Sequence, residues 1–433
     1  MKQILVLYLT CLLSINSHSQ NISLVKIINP PNDASIEDLT DVNGVLYFTS
    51  NLGLMKSDGV ETVVVFVKPI AAQSLMNKNG ILFFGANNGN GDEVLWRTDG
   101  TMNGTFIVSN KPVYFNSFTV NVVVGDLLFF IAAGNLWVTD GTDSGTKIIT
   151  SSTSAIIKLL ALGNSVYFEK RDPVTSAITL WKSDGTSNGT IAIKSFTSNW
   201  GINFGIIANG KLYFQYGTQL WNTNGTEQGT VLIKDTNANS PAPANFEVTE
   251  NGSVFFSATD GVYGVELWKS DGTTNGTYMV KDINTLSGNY GSGLMITPKS
   301  TLKNTLYFSA DNGTNGNELW KSDATEGGTV MVKDINPYQF GAGIGSVISF
   351  QKKIYFTADN GINGLELWVT DGTNTNLIAD INTKGDSRPT FLTCSGNNLF
   401  FVAEDGINGR QLWKLSNCNN TPVCIPVTFR IRK

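Results

Sequence analysis

Histidine is all but missing from this chain: one residue, His18, in 433. It lies in the stretch Met1 to about Gln20, residues 1–20, which reads as a secretory signal peptide. Lys2 supplies the positive end, Ile4 to Leu13 the apolar core, and Ser17-His18-Ser19 a small-residue cleavage site. The mature chain then has no imidazole. Ser-His-Asp and Cys-His mechanisms are excluded, as are His-ligated zinc and iron sites. Cysteine is scarce as well. Of four, Cys11 leaves with the leader, and Cys394, Cys418 and Cys424 remain. In an exported protein Cys418 and Cys424 are candidates for a small disulfide loop in the tail, residues 417–433, and another pairing with Cys394 is the alternative. Charged residues make up only 15%, with a formal net charge of −5 and no basic cluster. That balance argues against nucleic acid or anionic lipid as a partner. Past the leader no apolar run approaches about 18 residues, so no transmembrane segment is expected. Nor does any longer stretch carry a helical period.

What is present is one phrase, repeated. The clearest copies read Glu266-Leu267-Trp268-Lys269-Ser270-Asp271-Gly272-Thr273, Glu318-Leu319-Trp320-Lys321-Ser322-Asp323 and Glu366-Leu367-Trp368-Val369-Thr370-Asp371-Gly372-Thr373. Looser copies centre on Trp96, Trp137, Trp181, Trp221 and Trp413, and a worn one has Met55 at the Trp position. These nine units repeat every 40 to 52 residues, the mark of a repeat architecture. Each holds a Tyr-Phe run, a Gly/Asn-rich stretch, the Leu-Trp run, Asp-Gly-Thr, a Gly-Thr-Val run and a looser apolar segment. Short runs of Val, Ile, Tyr, Phe, Trp and Thr between Asn-Gly and Asp-Gly turns are strands and hairpins.

Four short strands per ~45 residues describe a β-propeller blade. The expected fold is therefore all-β: a single propeller over residues 21–416, with about nine four-stranded units. Eight blades with an irregular first unit is the alternative. We letter the strands A to D from the axis outwards: loose segment, Tyr-Phe run, Leu-Trp run, Gly-Thr-Val run. The mature N-terminus, Ile22-Ser23-Leu24-Val25-Lys26-Ile27-Ile28-Asn29-Pro30, is similar to the D-strand stretch Val330-Met331-Val332-Lys333-Asp334-Ile335-Asn336-Pro337. The last unit has no D strand of its own after Trp413, so the N-terminal strand is expected to complete it and close the ring.

These motifs resemble the ELWxxDGT-repeat family, and the resemblance covers nearly all of the mature chain. It implies a bacterial protein that is secreted or held at the cell surface. Many members end in a sorting domain for type IX secretion; none is expected here, because the chain stops soon after its last repeat.

Asp99, Asp140, Asp184, Asp271 and Asp371 sit in the C–D turn, where Asp accepts backbone N–H bonds and Gly takes positive φ. They are expected to be structural, and the Trp column is expected to pack between blades. Trp200 falls outside that column, in an expected A strand near the axis, and is a ligand candidate set against a core role. The B–C hairpins come in two lengths, and the long ones are rich in Asp, Asn and Gly. They should share a face with the D–A loops, which begin at Asp282, Asp334 and Asp380. Those three acids are the further ligand candidates. Hard oxygen ligands gathered there fit Ca²⁺, and the expected set is Asp311, Asn315 and Glu318 with Asp359, Asn363 and Glu366; no cofactor is otherwise required. The acids recur once per unit and no pair stands out, so no enzymatic activity is expected. The expected function is a binding or adhesion module for a glycan or protein. A structural envelope scaffold is the alternative, and a carboxylate-based glycan hydrolase a distant third.

Overall fold

The computed structural model describes residues 20–28, 33–66, 72–115, 120–150, 156, 158–197, 200–236, 243–285, 291–338 and 340–417. Residues 1–19 of the expected leader, Cys418 and Cys424 lie outside them. The described residues form nine four-stranded antiparallel sheets and no helix. These are the nine blades of a β-propeller, which settles the blade count at nine rather than eight. In blade eight the order is Val347–Phe350, Lys353–Asp359, Leu365–Thr370 and Thr375–Ala379, strands A to D as read from the sequence. In blade nine the fourth strand is N-terminal: Gln20–Lys26 pairs antiparallel with Arg410–Asn417, Leu24 opposite Trp413.

Strand alternation explains how the blades stack. Along strand B of blade two, Leu82, Phe84 and Ala86 face blade one, while Phe83 faces blade three. Each of nine hydrophobic clusters thus bridges two successive blades. Between seven and eight, Tyr307 and Leu319 meet Ile354, Phe356 and Trp368. Between nine and one, Phe400, Val402 and Leu412 meet Leu46, Phe48 and Met55. Full burial of one such side chain is worth about 1.5–3 kcal/mol.

The Trp column is packing. Trp96, Trp137, Trp268, Trp320 and Trp368 are buried. Each faces the strand-B Phe of its own blade in the register, as Phe130 faces Trp137 with stacked rings 6.1 Å apart. Met55 takes the same place opposite Phe48.

The C–D turn repeats its chemistry as well as its sequence. Asp271 Oδ1 accepts the Thr273 amide at 2.8 Å and its hydroxyl at 2.7 Å. The hydroxyl and the amide hold the Asp271 carboxyl below its ordinary value. Gly272 donates its N–H to Ser270 Oγ at 3.0 Å, and Ser270 meets Thr277 Oγ1 at 2.7 Å. Asn224 makes the same two contacts with Thr226, which explains why Asn serves there. Ala324 stands where the other turns have Gly and holds φ at 75°, a conformation that costs an L-residue about 1–2 kcal/mol. The Lys after Trp ties blade to blade: Lys321 Nζ donates to Gly372 O at 2.7 Å and Lys182 Nζ to Gly225 O at 2.9 Å. Lys414 of blade nine reaches Gly59 O of blade one.

Candidate functional site

Antiparallel order sets the A–B and C–D turns at one end of the ring and the B–C hairpins and D–A loops at the other. The second end holds the sequence-predicted site residues, and the hairpin sequence explains its shape. In blade seven Asp311 Oδ1 caps the Gly313 amide at 2.7 Å, and Asn312 Oδ1 caps the amides of Thr314 and Asn315 at 3.0 and 2.9 Å. Asn312 Nδ2 donates to Asn315 Oδ1 at 2.9 Å, and Asn315 Nδ2 donates to Asp334 Oδ2 at 2.8 Å. Blade eight repeats the clamp with Asp359, Asn360 and Asn363, whose Nδ2 donates to Asp380 Oδ2 at 2.8 Å. The B–C hairpin is therefore buttoned to the D–A loop, as the strand order implies.

Glu318 and Glu366 part from the expected metal set. Each is 0% exposed. Glu318 accepts three backbone amides of the D–A loop: Ile335 at 3.1 Å, Asn336 at 3.0 Å and Ala342 at 3.1 Å. Glu366 accepts the amides of Ile381 and Ser387 at 3.1 and 3.0 Å and the Ser387 hydroxyl at 2.6 Å. Burial pushes Glu318 up to about 7; the amides oppose this and the Asp334 charge adds to it. Burial raises Glu366 too. Gln411 fills the same place in blade nine, taking the Ile28 amide at 2.7 Å. This residue is a hook for the D–A loop, with its oxygens spent on amides. Among the described residues no three acidic, cysteine or histidine side chains gather around one point. Asp311 and Asn315, with Asp359 and Asn363, cap their own hairpins.

The loop crosses the hook closely. Gly341, at φ 66°, passes so near strand C that a Cβ there would lie 2.3 Å from the Asn317 nitrogen. The three ligand-candidate acids occupy equivalent positions. Asp334 and Asp380 hold the clamps, while Oδ1 of Asp282 and Oδ1 of Asp380 are buried without a hydrogen-bond partner.

Trp200 is neither core nor strand. It precedes strand A of blade five (Ile202–Ala208), is 62% exposed, and lies against Gly217 in that blade's short B–C turn. It therefore stands on the loop face. Sequence reading missed its company. The tips of four long hairpins carry an exposed branched aliphatic at one equivalent position: Val174, Val262, Ile362 and Ile407. Phe340, in the loop from blade seven to eight, is 88% exposed, and exposed Tyr338 packs on Gly361 beside Ile362. For three of the four the signal is present in Asp260-Gly261-Val262, Asn360-Gly361-Ile362 and Asp405-Gly406-Ile407, where an apolar residue follows the turn glycine; Val174 follows Pro173 instead. At the opposite end, the exposed large apolar side chains in described turns are Val60 and Met102. Four of its A–B turns are Asn-Gly, at Asn43, Asn79, Asn209 and Asn251; Asn43 holds φ at 54° and Gly44 at 84°. Cys394 is a half-buried thiol on strand A of blade nine, with no disulfide among the described residues.

No family model matches the sequence, and no curated protein matches it. Among solved structures the chain is similar to BamB from Moraxella catarrhalis, at 12% identity over 91% of this chain and 99% of that one, TM-score 0.46. It is similar to the computationally designed Ika8 protein at 13% identity over 80% and 99%, TM-score 0.45. It is also similar to the β-propeller domain of the Trilobed protease from Pyrococcus furiosus, at 12% identity over 82% and 100%, TM-score 0.39. The chain spans 58% of puromycin hydrolase and 41% of the tricorn protease, at TM-scores of 0.41 and 0.40. At these scores the likenesses carry no function to this chain.

Proposed function

We propose that this chain is a secreted or cell-surface propeller of the ELWxxDGT-repeat kind, without catalytic activity, that binds a glycan or protein through its B–C/D–A face. The observation that carries this reading is the difference between its two ends. One is built from tight polar turns, Asp-Gly-Thr in most C–D connections and Asn-Gly in four of the A–B ones. The other displays Trp200, Tyr338, Phe340 and the aliphatic hairpin tips to solvent. Folding does not require apolar side chains at solvent-facing hairpin tips, and clustered ones mark interaction sites. Aromatic anchors among polar loops are the usual makers of binding energy. The same face is clamped by Asn315–Asp334 and Asn363–Asp380, so its groups are held in place before a partner arrives.

The test is a glycan-array screen and a pull-down from cell-envelope extracts, with the mature chain and a Phe340→Ser/Ile362→Ser double variant. Capture by the former and its loss in the latter supports the reading. Capture that survives the double variant removes this face from the binding role, and no capture in either format favours the scaffold role.

A further inference from the structure

Among the nine tryptophans Trp200 alone is exposed; the other eight stand buried or half-buried on C strands. The hairpin beneath it sets its surroundings. The B–C connection of blade five is the two-residue turn Gly217-Thr218, between paired Tyr216 and Gln219. Its neighbours are longer: six residues separate Arg171 from Ile178 in blade four, and seven separate Ala258 from Glu266 in blade six. The rim of blade five is thus a low saddle between two longer hairpins. Trp200 rests on its inner side, the side of strand A. A Cβ at Gly217 would lie 3.5 Å from Cγ and Cδ1 of the indole, so the ring lies against the turn backbone. Gln215 Nε2 donates to Gly217 O at 2.9 Å and holds that turn in place.

The outer side of the saddle carries an exposed carboxylate, Asp235, paired with Gln219 across strands C and D. It follows Lys234 as Asp334 follows Lys333, so it stands where blade seven has its clamp acid. The two-residue turn carries no Asn to clamp it. Thr218 Oγ1 donates to Oδ1 at 2.8 Å and Gln219 Nε2 to Oδ2 at 3.1 Å instead. Gln219 is fixed in turn by Trp221 Nε1 at 3.0 Å. An ionised carboxylate has about four lone-pair sites, so both oxygens keep room for a ligand's donors. Four strands at about 4.8 Å spacing make the rim about 14 Å across, the length of about two to three sugar units.

We propose that the rim of blade five is a subsite for a neutral oligosaccharide, with Trp200 as the platform on which a sugar ring stacks and Asp235 as the acceptor of its hydroxyls. The inference rests on the binding role proposed above and chooses its glycan alternative. A flat apolar ring beside fixed acceptors matches the two sides of a sugar, its C–H face and its O–H rim. A carboxylate accepts and does not donate, so an anionic sugar is disfavoured. A protein partner is a poorer fit, because a stable protein interface takes roughly 800 Å² per side and the saddle is one blade wide between longer hairpins. The apolar cluster of Tyr338, Phe340 and Ile362 lies on the same face at blades seven and eight. A longer glycan engaging both places gains from their linkage beyond what either holds alone.

The test uses the full chain, a panel of short neutral oligosaccharides free in solution, and acrylamide quenching of tryptophan fluorescence. Bound sugar covers Trp200 and lowers the quenching. Trp200→Ala loses this protection, Asp235→Asn needs several-fold more sugar to reach it, and Phe340→Ser/Ile362→Ser keeps it. On a glycan array Trp200→Ala weakens capture at least about tenfold, as loss of an aromatic anchor does. Protection in the wild type is read without any variant, so a variant that fails to fold does not decide the matter. No protection by any sugar of the panel, or protection that persists in Trp200→Ala, overturns the subsite whatever the Phe340/Ile362 variant does to capture. Array or extract capture that survives the Phe340/Ile362 variant counts against the wider binding role instead, so the two readings fail separately.

Discussion

The two ends of the ring are made from the same repeat and put it to different use. At the A–B/C–D end, one hydroxyl–carboxylate turn recurs with little change: Asp99, Asp140, Asp184, Asp271 and Asp323 each bind the Thr two residues on, and Asn224 substitutes without altering a contact. At the B–C/D–A end, the hairpins differ in length and their tips differ in chemistry. The buried underside is again repetitive, because Glu318, Glu366 and Gln411 hook their loops in the same way. Repetition marks what the blade needs in order to close. Variation is confined to groups that fold without it.

The sharpest way to break this comparison is to remove what both ends share. Deleting Gln20–Lys26 leaves blade nine with three strands. If this strand locks the ring, the midpoint of chemical denaturation falls further than for any single substitution below, and the transition broadens. An unchanged midpoint would remove the strand from the closure. The next largest effect belongs to the loop hook. Glu318→Ala orphans three buried amides and should cost about 2–3 kcal/mol, while Glu318→Gln, which keeps one acceptor as Gln411 does, should cost less than half of that. Equal losses would mean that the residue acts by volume alone.

Much of this was legible in the sequence because the repeat is written in local terms. Period, strand order, Asp-Gly-Thr turns and the Trp column follow from patterns within a few residues of one another. The errors fall where a neighbouring blade decides. Glu318 borders the hairpin and so reads as a loop ligand. Yet it lies two residues before Trp320 on one strand, hence on the same face, and Trp320 is buried between blades. Trp200 is expected within strand A, whereas that strand begins at Ile202. The sequence assigns Lys321 no role, because its bond to the Gly372 carbonyl is made by the next blade.

Smaller effects test the turn end. Asp271→Ala removes the acceptor of two hydrogen bonds and should cost about 1 kcal/mol by denaturant titration; Asp271→Asn, following Asn224, should cost less. The turn acids Asp140, Asp184, Asp271 and Asp371 are held below their ordinary values by Thr or Asn donors. A depressed carboxyl stabilises above its unfolded value and loses that contribution as pH falls through the folded one. Melting should therefore drop on acidification below about pH 4, and by less in a chain whose turns carry Asn. A drop of the same size in that chain would assign acid lability elsewhere.

The smallest effect on stability is the one that tests the working face. Phe340→Ser/Ile362→Ser alters exposed side chains and should shift unfolding by no more than about 0.5 kcal/mol, as should the control pair Val60→Ser/Met102→Ser at the other end. The decisive measurement is binding by these two double variants, side by side, to whatever the wild-type chain captures from cell-envelope extract or glycan array. Binding lost in the Phe340/Ile362 variant and kept in the Val60/Met102 variant is the expected result. Equal binding by both, or loss only in the Val60/Met102 variant, would contradict the assignment of function to the loop-rich face.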